Sequence, residues 1–210
     1  MIAMMGAALI PAHAASLIYA FTNPAGNVGS ASHIYTTNGV NVTAYGWTVI
    51  GSTPVNLYGK TGGGDESGLG LVQDTVDHEI QISDFVQFDF TNAKQQGVTS
   101  AQIQMGSAGT GQPGEGWAVY GSNTLGQLGT SLFSGTDESL HNLVASTFSA
   151  YKYFSVTAVN EGGHPLANVL VSEVVLNQTG AVPEPGTFLI AGMALLGLGV
   201  TLKKKANRQA

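Results

Sequence analysis

Apolar and polar residues alternate with a period of two through most of the chain. Val40, Val42 and Ala44 face one way, while Thr43, Tyr45 and Trp47 face the other. Ile80 and Ile82 alternate with Gln81 and Ser83, and Val86, Phe88 and Phe90 alternate with Gln87 and Asp89. The same period recurs in Ala101-Ile103-Met105, Trp117-Val119, Phe154-Val156-Ala158 and Leu170 to Leu176, with Glu173 outward. A period of two with Val, Ile, Phe, Tyr and Thr suits half-buried strands with one face on a core and one in water. Clusters of Gly, Ser, Thr and Asn separate these runs. One short helix is predicted over 138–148. Strands without βαβ spacing point to an all-β fold, an antiparallel two-sheet sandwich of jelly-roll type over residues 15–181.

Both chain ends depart from this pattern. Residues 1–14, MIAMMGAALIPAHA, are an apolar run broken by Pro11. Small residues at Ala12 and Ala14 fit a signal-peptidase site, so the segment reads as a secretory signal peptide that lacks its positively charged start. At the other end, Phe188 to Leu202 reads FLIAGMALLGLGVTL, without a charge, and Lys203, Lys204, Lys205 and Arg208 follow. As a helix at ~1.5 Å per residue those fifteen residues cover roughly 22 Å. With Gly186 and Thr187 and snorkelling lysine stems the segment reaches across a bilayer, so a transmembrane helix is predicted at 187–202. The basic tail places the preceding domain on the opposite side of the membrane from the cytoplasm.

Before the apolar run stands Val182-Pro183-Glu184-Pro185. The two prolines fix φ and remove backbone donors, holding an extended peptide that a processing enzyme can bind. The order Val-Pro-Glu-Pro, glycine-rich apolar helix and short basic tail resembles the PEP-CTERM sorting signal of Gram-negative bacteria, with lysines where that family more often has arginines. The resemblance covers residues 182–210. It implies a membrane-embedded exosortase as partner, cutting at the Pro-Glu-Pro site. It also implies that the protein is held at the inner membrane with its domain on the periplasmic side, then delivered to the cell surface or beyond, often with exopolysaccharide or in a biofilm. Shorter words (Gly68-Leu69-Gly70-Leu71, Asp77-His78-Glu79-Ile80, Phe88-Asp89-Phe90) resemble the lectin-like sandwich domains that often precede such signals.

Charge narrows the functions open to the domain. Residues 15–181 hold three lysines against twelve acids, a net charge of −9, which disfavours nucleic acid and an anionic lipid surface. The chain contains no cysteine, so disulfides and thiol chemistry are excluded. Acids concentrate between Asp65 and Asp89, and Asp65, Asp74, Asp77 and Glu79 are the candidate Ca2+ ligands, since that ion takes carboxylate and carbonyl oxygens. Two such carboxylates at the right separation would also serve a glycosidase. Tyr45, Trp47, Trp117 and Tyr120 are candidate sugar-stacking residues. Residues 109–114 spell GxGxxG ahead of a β-like segment and read as a loop. The histidines outside the first segment (His33, His78, His141, His164) have no zinc-site spacing. The leading expectation is a non-catalytic surface or matrix protein associated with exopolysaccharide. A calcium-assisted carbohydrate-binding module and a secreted glycoside hydrolase are the alternatives.

Overall fold

Two antiparallel sheets account for nearly all the secondary structure in the computed structural model, which describes residues 15–48, 53–108, 115–160 and 167–178. The predicted signal peptide, the GxGxxG loop, His164, the sorting motif and the predicted membrane helix lie outside the described residues. Among the described residues, no helix is long and apolar enough to cross a membrane.

The larger sheet runs β12 (Leu140–Leu143), β9 (Val98–Gly106), β14 (Asn168–Gln178), β6 (Ser67–Leu71), β5 (Leu57–Thr61), β2 (Gly26–Asn27). The strands β1 (Ala15–Ala20) and β7 (Ile80–Gln81) also pair with β14. The second sheet runs β11 (Thr130–Gly135), β10 (Glu115–Ser122), β13 (Tyr153–Asn160), β8 (Asp84–Asp89), β4 (Val40–Thr48), β3 (Ser32–Thr37). Two short helices, α1 (Thr91–Gln95) and α2 (Ala145–Ala150), sit between strands.

The alternation is realised residue by residue. On β4, Val40, Val42 and Ala44 are buried in the core, and the intervening residues are only half-buried. Val86 and Phe88 on β8, Ile103 and Met105 on β9, and Phe154 and Val156 on β13 fill the space between the sheets. A run of aromatic rings closes one end of that core. Phe21 meets Phe88 at 5.2 Å, and Phe90 meets Phe148 and Phe154 at 5.5 and 5.8 Å between centroids. Fully burying each such side chain contributes about 1.5–3 kcal/mol, so these rings are a main source of stability in a chain without disulfides.

Three local expectations are corrected. The helix predicted over 138–148 is instead strand β12 followed by α2, because Leu140 to Leu143 pair with Gln104 to Ala101 at the edge of the larger sheet. Strand β7 stops at Gln81, and Ile82 is left exposed. On β14 the alternation slips: Val169 and Val171 face the core, and then Val174 and Leu176 do. A register shift between Val171 and Glu173 inserts the extra residue, so both halves of the strand keep an apolar inner face.

Candidate functional site

The outer face of the larger sheet carries the densest chemistry in the domain. On β5, Leu57 points into the core, so Tyr58 and Lys60 point outward. Opposite them on β6 stand Gly70 and Gly68. A Cβ at Gly70 would lie 2.0 Å from the His78 carbonyl oxygen, so only glycine lets the segment between β6 and β7 cross the sheet here. That segment lays His78 on Tyr58, rings stacked at 3.9 Å, and Glu79 on Lys60. His78 adopts a left-handed φ of 59° and its Nδ1 is buried without a hydrogen-bond partner. Backbone strain and an unsatisfied buried atom in one residue mark it as a candidate functional position.

Lys60 is shared. Its ammonium donates to Glu79, whose side chain is 2% exposed, and at 2.5 Å to Glu66, which also accepts from Ser107 Oγ at 3.2 Å. Burial pushes the Glu79 carboxyl up to about 7, against the lowering pull of Lys60 and Ser107. The Lys60 hydrogen bond holds Glu66 below the usual carboxylate range despite some burial. Burial alone would lower Lys60, but its bonds to Glu66 and Glu79 outweigh that and raise it. The lysine and Glu66 therefore carry charge while Glu79 keeps a proton close to neutral pH.

The four acids proposed as calcium ligands are not brought together. Asp65 and Asp77 are exposed, Glu79 faces Lys60, and Asp74 holds the turn before β7. Asp74 Oδ1 accepts from the N–H of Val76 at 3.0 Å and of Asp77 at 3.3 Å, and Oδ2 from that of Glu79 at 3.3 Å. Burial works against this carboxylate, yet those N–H groups and Asn168 outweigh it and keep Asp74 below its ordinary value. Asp74 and Asp77 border an open cavity of about 430 Å³ with Gln81, Ser83 and Asn168. Nearby Asp84 is buried, its Oδ2 has no hydrogen-bond partner, and burial together with the Asp74 charge pushes it up to about 6. Among the described residues, no group of three or more histidine, aspartate or glutamate side chains is placed to hold a metal ion.

The four aromatic residues also separate. Trp117 is fully buried, its Nε1 donating to the Asp137 carbonyl at 2.8 Å and its ring edge-on to His141 at 4.4 Å. It belongs to the core and is removed from any sugar-stacking surface, because its even-numbered neighbours, not the tryptophan, point outward on β10. Tyr45 and Trp47 do share the outer face of the six-stranded sheet, stacked at 6.4 Å, and Trp47 continues onto Phe85 at 6.5 Å. Tyr120 is on that face too, three strands beyond Tyr45 in the row Tyr45, Gln87, Ser155, Tyr120. Between them the β10–β11 loop covers the sheet. Gly126 lies over the Trp47 ring with a left-handed φ of 75°. Its N–H donates to Gln87 Oε1 at 2.8 Å, and Gln87 Nε2 donates to the Gln127 carbonyl at 3.0 Å and to Ser155 at 3.1 Å.

Sequence reasoning singled out neither Lys60 nor Gln87. Lys60 had a visible signal, as one of three cations among twelve acids. Gln87 had none, since a polar residue on the outward phase of a strand reads as solvated.

The described residues thus define an acidic, disulfide-free β-sandwich whose last strand ends at Gln178, directly ahead of the Val-Pro-Glu-Pro segment. Residues 181–205 match the family described as the PEP-CTERM protein-sorting motif. The chain thus carries a PEP-CTERM sorting motif, and that motif implies an exosortase as its processing partner. No curated protein and no solved structure matches the chain.

Proposed function

We propose that this is an exported, non-catalytic surface or matrix protein, delivered by exosortase and associated with exopolysaccharide in a biofilm. The observation that carries the reading is the PEP-CTERM motif at residues 181–205, three residues beyond a sandwich that ends at Gln178. In this reading residues 1–14 direct export and are removed by signal peptidase after Ala14. Residues 187–202 span the inner membrane as a helix, Lys203 to Lys205 and Arg208 stay cytoplasmic, and the domain waits on the periplasmic side. Exosortase then cuts at Pro183-Glu184-Pro185. Tyr45, partly exposed on the outer face of the smaller sheet, supports a weak contact with sugar rings.

The test separates sorting from permanent anchoring. In the native host, Pro183→Ala combined with Glu184→Ala is expected to leave full-length protein in the inner membrane, while the wild type appears shortened at the surface. A plain anchor is indifferent to those two residues. Mass spectrometry that finds the C-terminal tail still attached in the wild-type surface fraction overturns the sorting reading. Retention of residues 15–181 on polysaccharide purified from the same cells tests the partner.

A further inference from the structure

Among the described residues, Lys60 is the lysine whose ammonium bonds carboxylates. That of Lys94 donates to the Tyr151 carbonyl, and that of Lys152 lies 5.0 Å from the Tyr153 ring. Separate stretches of chain fix the groups around Lys60. It stands opposite Gly68 on the β5–β6 hairpin, whose turn is closed by the Gly62 N–H donating to the Glu66 carbonyl at 2.9 Å. This closure brings Glu66 Oε2 to 2.5 Å from the ammonium. Glu79 arrives on the segment that crosses Gly70, with its own N–H donating to Asp74 Oδ2 at 3.3 Å. Ser107, just past β9, donates from Oγ to Glu66 Oε1 at 3.2 Å and from its N–H to the Asp65 carbonyl at 2.9 Å.

Water reaches these groups unevenly. The Lys60 side chain is 18% exposed and that of Glu79 only 2%, whereas that of Glu66 is 47% exposed. Two opposite charges taken out of water cost free energy even when they touch. A neutral amide joining them would remove both charges from the interior. The parts for such a bond are present. Glu79 keeps its proton close to neutrality and so has a hydroxyl to lose, and Glu66 is an ionised acceptor touching the ammonium. Holding amine and carboxyl in contact turns a bimolecular condensation into a unimolecular one, which is where most of the barrier to such a reaction lies.

We propose that Lys60 and Glu79 become joined by an intramolecular isopeptide bond, formed within the folded domain with Glu66 as the proton acceptor. Glu66 takes one proton from the ammonium, and the freed amine attacks Glu79 Cδ. The new C–N bond replaces the C–OH bond. The hydroxyl leaves with a second nitrogen proton as water, and the third proton stays on the amide. Glu66 then passes its proton to solvent through its exposed side, and nothing is oxidised or reduced. The bond ties β5 to the segment before β7, closing a loop between residues nineteen apart. In a chain without cysteine it does the work of a disulfide, restricting the unfolded state. Freshly folded chains still hold the free pair and titrate Glu79, whereas joined chains do not. The proposal is independent of how the protein is sorted.

The positions of the lysines make the test direct. Lys60 is the first basic residue of the chain and Lys94 the next. Trypsin does not cut after a lysine whose side-chain nitrogen is acylated. The purified full chain is incubated folded at growth temperature, then denatured, weighed intact by mass spectrometry and digested. An intact mass lower than that of its sequence by one water is expected, with a peptide that runs uncut through Lys60 to Lys94. Lys60→Arg keeps the charge but not the amine, and is expected to show no loss of water and normal cleavage after position 60. Glu66→Gln should form the bond on the order of a hundredfold more slowly, since it cannot take the proton. A chain held in guanidinium throughout should lose nothing. Full mass with cleavage after Lys60 in the incubated wild type overturns the proposal, and that digest decides even where a variant fails to fold. A loss of water that persists in Lys60→Arg or in the denatured chain also overturns it, because the dehydration then lies elsewhere. A Glu66→Gln rate equal to that of the wild type overturns the part given to Glu66.

Discussion

Each sheet of the sandwich has a loop laid across its outer face, and the two loops are held by opposite chemistry. On the larger sheet the segment before β7 is fastened by charge, with Glu79 on Lys60, Glu66 completing the pair and His78 stacked on Tyr58. On the smaller sheet the β10–β11 loop is fastened by a neutral amide, Gln87, with Gly126 lying on Trp47. Both arrangements need a glycine at the crossing, Gly70 in the first and Gly126 in the second. They differ in what they respond to. A neutral amide is indifferent to pH, whereas a carboxyl held near neutrality changes state within the range a periplasmic or external protein meets.

Removing Lys60 should have the largest effect. Lys60→Met leaves Glu66 and the buried Glu79 without their counter-charge, and breaking such a pair typically costs about 3–5 kcal/mol. Chemical denaturation at pH 8 is expected to show this loss, and at pH 5 much less of it, because Glu79 is then protonated. A loss equal at both pH values would mean that the lysine stem, not its charge, holds the loop.

The neutral clasp should be weaker and flat in pH. Gln87→Leu removes the acceptor of the Gly126 N–H and the donor to Gln127, with an expected loss of about 2 kcal/mol at pH 5 and pH 8 alike. Faster hydrogen exchange at Gly126 in this variant would locate the effect in the loop.

The wild type itself should lose stability with rising pH. An unperturbed Glu titrates near ~4.3, whereas folded Glu79 does so at about 7. Between those values the folded chain binds more protons than the unfolded one, so stability falls as pH rises through that window. Asp84, held at about 6, adds to the same slope from a lower starting point. Glu79→Gln, which keeps the shape without the titration, should flatten the fall between pH 5 and pH 7.5; an unchanged slope assigns it to Asp84.

Calcium should do least. Asp74 already accepts three backbone N–H groups and Glu79 faces an ammonium, so millimolar Ca2+ is expected to leave the melting temperature of the domain unchanged. A rise with calcium that EDTA reverses would show that Asp65, Asp74, Asp77 and Glu79 can still converge on an ion.

The local facts of this chain were written in its order of residues. Strand faces followed from the period-two pattern because burial on one side of a sheet selects for alternation, and Val42, Phe88, Ile103 and Val156 all face the core as that pattern requires. The sorting motif was equally legible, since residues 181–205 are a contiguous stretch of sequence that needs no partner from elsewhere in the chain to be recognised. Partnerships across long separations were not legible. Lys60 finds Glu79 nineteen residues on, and Gln87 finds Gly126 thirty-nine residues on, because strand order carries them together. Only the tertiary structure could bury Trp117, slip the phase of β14 at its bulge and seat Lys60 between Glu66 and Glu79. Alternation says which side of a strand is dry, but it does not say which strands are neighbours, and every one of those features depends on the neighbours.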